Sequence, residues 1–222
     1  MPDVPLVDIA YQEIRQKLLN GQYLPGSLLS ESDLAGKLNM SRTPVRAAIS
    51  QLEKDGFVET LNKRGVLVKE IDVQELYDMF DLLNALYIYA LDQFDEHAYE
   101  LDLEAFKTYL DRLTEASAEK RDRDYYENGL LFMRTILEAL DNRCMEQTFD
   151  RYKDKILFFV VAHRSMEGKH RPYTGKKLYA DIYRVLCDKN YREAKLMILE
   201  SKRNLREELL RTGFKAISHR HA

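Results

Sequence analysis

Two arginines and a threonine in the first seventy residues have the chemistry and spacing to read DNA. Arg42 and Arg46 are four residues apart, so they share one face if this stretch is helical. A guanidinium donates paired hydrogen bonds to guanine O6 and N7 or to a phosphate, and Thr43 adds a short hydroxyl at the same end. These residue types predict a helix whose first turns enter the major groove of double-stranded DNA.

A second pair of cations, Lys63 and Arg64, lies between two segments rich in β-branched and apolar residues, 57–61 and 66–68. The intervening stretch, 62–65, ends in Gly65 and has the composition of a hairpin turn. The pattern predicts a β-hairpin with both cations at its tip, where they would reach a phosphate or the neighbouring minor groove.

Local sequence patterns also predict the helices that would position these side chains. Ser30 has the position of an N-cap for a short helix that ends at Asn39, and Ser41 that of an N-cap for the next helix. Pro44 falls in the first turn of the second helix, where its missing N–H costs nothing. The apolar face of that helix consists of Val45, Ala48, Ile49 and Leu52. Two helices joined by a tight turn and followed by a hairpin predict a winged helix-turn-helix.

Charge supports a local nucleic-acid site and excludes binding by bulk charge. The 222 residues include 34 Lys plus Arg against 37 Asp plus Glu, a net charge of −3. Residues 37–64 nevertheless hold six cations against three anions. Residues 1–69 sum to +1 and the remainder to −4, so the basic surface belongs to the N-terminal part alone.

From about residue 72 the sequence has helical periodicity broken by short polar loops. It predicts six or seven helices, with candidate spans 72–96, 101–119, 123–140, 142–167, 174–189 and 191–212. The fold class expected is therefore mainly α: a winged helix-turn-helix domain with a small β-hairpin wing at 1–69, and an all-α helical bundle at 72–222.

Composition also bears on location. No signal peptide or membrane-spanning run is visible, and Cys144 and Cys187 lack a disulfide or metal-type spacing. We expect a cytoplasmic protein with reduced thiols and no membrane partner.

Several strings in the N-terminal part resemble the DNA-binding domain of GntR-family bacterial transcription regulators, over about residues 6–69. They are Leu24-Pro25-Gly26, Leu29-Ser30-Glu31, Leu34-Ala35, Met40-Ser41-Arg42-Thr43-Pro44-Val45-Arg46, Leu52-Glu53-Lys54-Asp55-Gly56-Phe57-Val58 and Asn62-Lys63-Arg64-Gly65-Val66. The resemblance implies DNA contacts by Arg42, Thr43, Arg46, Arg64 and Gly65. Relatives often have an arginine at the position of Ser32, which we include with Lys63 among the expected contacts.

The helical part resembles the ligand-sensing FCD-type domain of the FadR-like subgroup. Many such domains hold a metal ion by one Asp and three His, and the ion helps bind a carboxylate effector. Aligned on short strings, those four positions fall near Gly129, Met133, Tyr179 and Ser201, and none offers an Asp or His. The resemblance therefore implies a small-molecule sensor here, and the residue types predict that it needs no metal or other cofactor.

The expected effector site combines Met133, Tyr179 and Ser201 with Phe80 and Asn84, two positions that resemble an Arg and a Glu in many relatives. Such an apolar pocket suits a less charged or partly hydrophobic ligand better than a small dicarboxylate. A filled core without a ligand is the alternative. In that case the helical part would serve only for dimerisation or for binding a protein partner.

Motifs for catalysis are not apparent: the sequence has no nucleophile elbow, phosphate-binding glycine loop or His-Glu-x-x-His. We expect a DNA-binding regulator and no enzyme. It would act as a homodimer on a near-palindromic operator, with effector binding altering operator affinity. Repression is the commoner outcome in the family, but the residues leave the sign open.

Overall fold

The computed structural model describes residues 4–70, 72–97, 99–167 and 173–211, without the side chains of residues 95, 167 and 205–211. The chain forms two compact units. One comprises the described residues of 1–71 and 158–168, and the other those of 72–157 and 169–222. Within the described residues, none of the helices combines the length and the hydropathy that a bilayer span requires.

The N-terminal unit begins with three helices, α1 (Leu6–Leu19), α2 (Glu31–Leu38) and α3 (Arg42–Lys54). Ser30 caps α2, since its Oγ accepts the backbone N–H of Asp33 at 3.3 Å. Asn39 ends α2 in the left-handed region at φ 52°, which turns the chain directly into α3. The helix-turn-helix predicted from the sequence is thus confirmed.

Capping of α3 differs from the expectation. Ser41 is the N-cap residue, with Pro44 in the first turn, but the Ser41 side chain makes no capping hydrogen bond. The four predicted core residues of α3 are all buried, so packing of this stripe holds the helix in place.

Three strands, one more than predicted, form the sheet of this unit: β1 (Leu28–Leu29), β2 (Val58–Leu61) and β3 (Gly65–Val68). Their order is β1-β3-β2, and both pairings are antiparallel. Leu61 pairs with Gly65, so the hairpin loop is the three residues 62–64 and not 62–65. Gly65 has φ 108°, and a Cβ there would lie 2.6 Å from the Leu29 carbonyl oxygen. The close approach of β1 therefore requires a glycine.

Six helices follow in the described residues. They are α4 (Val73–Glu96), α5 (Leu103–Glu119), α6 (Asp122–Glu138), α7 (Arg143–Glu167), α8 (Gly175–Cys187) and α9 (Tyr191–Arg211). Every boundary lies within two residues of the span predicted from periodicity. Caps explain two of the starts: Asp72 accepts the N–H of Gln74, and Asp102 that of Ala105, each at 2.9 Å.

In the helical unit, α5 packs on α6 and α8, and α4 packs on α6 and α9. Phe106 and Phe132 meet edge to face at 4.9 Å in the buried core between α5 and α6. Two ion pairs link α4 to α9, Asp81 with Lys202 and Asp92 with Lys195. The α4 partner changes from residue 81 to 92 while the α9 partner changes from 202 to 195, so the two helices run antiparallel.

The C-terminal end of α7 belongs to the N-terminal unit, a feature the sequence did not indicate. Phe158 is 1% exposed, and its ring meets the buried ring of Phe57 edge to face at 5.9 Å. A Cβ on Gly21, which has φ 67°, would lie 2.9 Å from Ser165 Oγ. A helical segment distant in sequence therefore completes the core of this unit. The division into a DNA-binding domain at 1–69 and an effector-binding domain at 72–222 stays a prediction.

Candidate nucleic-acid interface and ligand cavity

The first two turns of α3 present the predicted reading residues to solvent. Arg42, Thr43 and Arg46 are all exposed, whereas Val45 and Ala48 behind them are completely buried. The packing stripe fixes the rotation of α3 and so decides which side chains face outward. This exposed face has the hydrogen-bond donors that suit base edges in a major groove, which admits an α-helix.

Arg46 is held by α2. Its Nε and Nη2 donate to Glu31 Oε2 at 3.1 and 2.9 Å, and this hydrogen-bonded carboxylate raises the pKa of the arginine. No described residue accepts a hydrogen bond from its Nη1 group, and the side chain is 69% exposed. One edge of the guanidinium is thus fixed by the protein while the other stays available to a base or phosphate.

The hairpin is tied to α3 through Glu53. This carboxylate accepts the backbone N–H of Thr60 at 2.8 Å and the Thr60 hydroxyl at 3.2 Å. Lys63, at φ 58°, and Arg64 form the exposed tip of the hairpin. Within the described part of the chain, neither of these cations makes an ion pair, so both charges are available to a nucleic acid.

The two remaining predicted contacts have different surroundings. Ser32 is exposed in the first turn of α2, whereas Gly65 is half-buried and paired with Leu61. DNA contact by Ser32 and Gly65 stays a prediction, as it does for the other five residues.

All five residues predicted to bind an effector line one cavity in the helical unit, with a volume of about 110 Å³. Phe80 and Asn84 come from α4, Met133 from α6, Tyr179 from α8 and Ser201 from α9. The prediction omitted further lining residues: Tyr77, Leu83, Tyr87, Leu130, Leu178, Ile182, Ile198 and Lys202. Six of these eight residues lie three positions from a predicted lining residue on the same helix, so helical spacing could have indicated them.

The cavity is mainly apolar and aromatic, with a few hydroxyl and amide groups. Burial raises the pKa of Tyr179 to about 12 and raises the pKa of Tyr87 well above its usual value. Both phenols are therefore neutral hydrogen-bonding groups at physiological pH. Lys202 also lines the cavity, and its Nζ lies 2.8 Å from Asp81 Oδ1.

A metal ion of the kind implied by the FCD resemblance does not fit these residues. A Cβ on Gly129 would lie 2.6 Å from Tyr179 Oη, so the tyrosine fills the space that a ligating side chain at 129 would need. In the described ranges, no three or more His, Cys, Asp or Glu side chains converge. Met133 and Ser201 offer only a thioether and a hydroxyl, which are poor ligands for zinc-like ions.

Two family models match the chain. Residues 6–68 match the model described as bacterial regulatory proteins, gntR family, and residues 78–201 match the FCD domain. The first match contains α3 and the hairpin, and the second contains the residues that line most of the cavity.

Relatives and solved structures agree with both matches. The uncharacterized HTH-type transcriptional regulator YdhC of Bacillus subtilis is 23% identical over 85% of this chain and 84% of its own length. The gluconate operon transcriptional repressor of the same organism is 24% identical over 81% of this chain and 70% of its own. A putative transcriptional regulator GntR from Rhodococcus sp. RHA1 has the same fold, with a TM-score of 0.79, 18% identity and coverage of 92% and 97%. This chain therefore belongs to the GntR family of bacterial regulatory proteins and carries an FCD domain, which makes it a DNA-binding transcription regulator and not an enzyme.

Proposed function

We propose that the protein binds a near-palindromic operator through α3 and the hairpin tip. Arg42, Thr43 and Arg46 would contact base edges and flanking phosphates in the major groove, while Lys63 and Arg64 contact the backbone or minor groove. The observation that carries this proposal is the exposed face of α3, whose reading side chains lie opposite a fully packed stripe.

We propose a homodimer as the binding form, because two recognition helices about 34 Å apart would match successive turns of the duplex. Support comes from large apolar side chains exposed on the antiparallel pair α4 and α9. This α4–α9 strip consists of Leu82, Tyr89, Leu196 and Leu199, which are 39%, 52%, 53% and 45% exposed. All four lie between the Asp81–Lys202 and Asp92–Lys195 ion pairs, so they occupy matching levels of two adjacent helices. Exposed apolar residues grouped in this way are typical of an interface.

Light scattering in solution tests the dimer. We expect the native chain to have twice the monomer mass of 26.1 kDa, and Leu196→Asp with Leu199→Asp to shift it toward the monomer. Met166→Asp is the matched control, because Met166 is exposed but lies on α7 outside the strip. A native monomer at micromolar concentration would contradict the dimer.

The helical unit, we propose, senses a small molecule in its cavity without a metal ion. The support is a cavity with polar groups placed among aromatic and aliphatic walls, as in many ligand sites. Its lining includes α4, which begins only five residues after β3 ends, so a ligand that shifts α4 has a short route to the hairpin. Effector binding would then alter operator affinity by favouring one arrangement of the two units.

We propose that the protein represses transcription, because it is similar to the gluconate operon transcriptional repressors of two Bacillus species. Operator binding also implies a cytoplasmic location, because that is where bacterial DNA lies. If the cavity takes no ligand, the exposed α4–α9 strip favours a helical unit that serves dimerisation alone.

A genome-wide binding map tests the operator proposal. We expect the native protein to give peaks that share a two-fold symmetric motif, and the Arg42→Ala, Arg46→Ala double variant to lose them. Peaks that persist in the variant at equal protein level would contradict the assignment of α3. The genes beside the peaks would also narrow the search for the effector.

A further inference from the structure

Arg46 uses only one edge of its guanidinium to reach Glu31. The group has five N–H donors, and the Nε and Nη2 donors of one edge share Glu31 Oε2 at 3.1 and 2.9 Å. The next edge has one N–H on Nη2 and one on Nη1, which point in the same direction. This parallel pair matches O6 and N7 of a guanine, so the contact with Glu31 leaves a bidentate donor pair open.

Glu31 can hold that orientation because α2 itself is fixed. Ser30 caps the helix directly before Glu31, and Leu34 and Ala35 are buried one turn later. The Glu31 side chain is 23% exposed, whereas that of Arg46 is 69% exposed. A half-buried carboxylate therefore fixes one edge of an exposed guanidinium.

The contact also cancels charge at this point of the surface. Arg46 and Glu31 form an ion pair with no net charge, whereas Lys63 and Arg64 make no ion pair with a described residue. A phosphate that approaches Arg46 is attracted by the guanidinium and repelled by the carboxylate beside it. A guanine edge has no net charge and meets weaker repulsion. The pair therefore favours a base over a phosphate as the partner of Arg46.

From these observations we infer that Glu31 is a positioning residue that determines specificity: it orients Arg46 toward a guanine and, by cancelling its charge, keeps Arg46 from binding phosphate. This inference rests on the proposed function, in which α3 lies in the major groove, and it assigns Arg46 to base reading alone. The binding of phosphates is then left to cations without an acidic partner, such as Lys63 and Arg64 at the hairpin tip.

Salt dependence tests this assignment, because cations that neutralise phosphates release counterions. The affinity of the full-length protein is measured at several salt concentrations for a duplex from a mapped binding peak and for a scrambled duplex of equal length. Glu31→Gln keeps an oxygen that can accept from Arg46 but removes the negative charge. It should bind the scrambled duplex severalfold more tightly, steepen the salt slope by about one per protomer and lower the ratio of operator to scrambled affinity by about threefold or more.

Asp33→Asn is the matched control for Glu31→Gln. It removes the same charge from the same turn of α2, but Asp33 is exposed and makes no ion pair with Arg46. It should change the salt slope by less than about half as much, because its charge acts only from a distance through screening salt. The Arg46–Glu31 pair lies at the surface and adds little to stability, so all variants should fold as the native protein does.

Glu31→Gln combined with Arg46→Gln removes both charges and so keeps the net charge of the pair. This double variant should lose roughly thirtyfold or more in operator affinity and keep the native salt slope. If it loses operator affinity but also lowers the slope by about one per protomer, Arg46 binds phosphate and the inference is overturned while α3 still reads DNA. A native salt slope in Glu31→Gln would overturn it equally. Native operator affinity in the double variant would overturn the proposed role of Arg46 in reading the operator as well.

Discussion

The candidate DNA-binding surface of α3 and the hairpin differs in charge from the cavity of the helical unit. The tip of the hairpin carries cations without an ion pair among the described residues, and Arg46 keeps one edge open although Glu31 holds the other. Among the described residues, the cavity instead is lined by neutral aromatic and aliphatic side chains and by Lys202, which pairs with Asp81. Exposed cations suit a polyanion that stays in water, whereas apolar walls suit a small ligand that leaves water.

The two regions also differ in how far apart in sequence their residues lie. The reading face of α3 and the hairpin tip come from residues 42–64, whereas the cavity draws on four helices between residues 77 and 202. Substitutions near the DNA surface should therefore change function with little effect on the fold. Substitutions in the buried regions should change stability first.

The largest effect on stability is expected at the end of α7. Phe158→Ala would leave a cavity beside Phe57 and lower the free energy of unfolding of the N-terminal unit by about 3–5 kcal/mol. Hydrogen exchange of the α1 and α3 amides measures this. Met166→Ala, at an exposed site on the same helix, should leave protection as in the native protein. Equal protection in Phe158→Ala would show that the helix-turn-helix does not depend on α7.

Alanine substitutions at two helical glycines, one in each unit, allow the packing of the two units to be compared through the free energy of unfolding. Gly129→Ala places a methyl 2.6 Å from Tyr179 Oη and should lower the free energy of unfolding by about 1–3 kcal/mol, because the ring must move. Gly36→Ala on α2 meets nothing within 4 Å and should raise it by up to about 1 kcal/mol, because alanine favours the helix. Urea denaturation of both variants checks the signs, and equal effects would mean that Tyr179 does not fill the space at 129.

At the hairpin tip we expect a moderate loss of DNA affinity. Lys63→Ala with Arg64→Ala should weaken operator and non-specific DNA alike. It should reduce the slope of log affinity against log salt by about two per protomer, or about four for the proposed homodimer, because each lysine or arginine displaces roughly one counterion. Lys69→Ala, an exposed cation beyond the other end of β3, is the control. A loss confined to the operator would instead mean that the tip reads bases.

The smallest effect is expected from titration of Tyr179. The folded pKa of about 12 exceeds the usual value of about 10, so below pH 10 both folded and unfolded chains hold the proton. As pH rises from 10 to 12 the unfolded chain loses that proton first, and the free energy of unfolding falls. Tyr179→Phe should remove this part of the pH dependence. The ultraviolet titration of Tyr179→Phe should lack one tyrosine that titrates near pH 12. If it instead lacks a tyrosine that titrates near the usual value of about 10, the raised pKa does not belong to Tyr179.

Much of the DNA-binding fold could be predicted because its signals are local. Ser30 and Asn39 mark the ends of α2 through their own backbone and side-chain chemistry, and Pro44 marks the start of α3. Strand β1 was missed because two residues show no periodicity. The ion pair between Glu31 and Arg46 joins residues fifteen apart on two helices, so no local pattern indicates it.

In the helical unit, periodicity predicted the helices but not what they enclose. The five cavity residues were found by alignment to the family's ligand positions, which carries information about helix packing that one sequence lacks. Lys202 was missed because an exposed lysine after Ser201 has the usual appearance of solvated surface. The packing of Phe158 on Phe57 depends on tertiary structure across a hundred residues, for which the sequence has no signal.

The affinity of Arg46→Ala for the mapped operator, at fixed salt, tests most directly whether the exposed face of α3 reads DNA. Removing a bidentate contact should cost about 1–3 kcal/mol in each protomer, so the proposed homodimer should lose roughly thirtyfold or more in operator affinity, with a smaller loss on non-specific DNA. Lys54→Ala, an exposed cation in the last turn of the same helix, should stay within about twofold of the native protein. Equal operator affinities for Arg46→Ala and the native protein would contradict the assignment of α3 as the recognition helix.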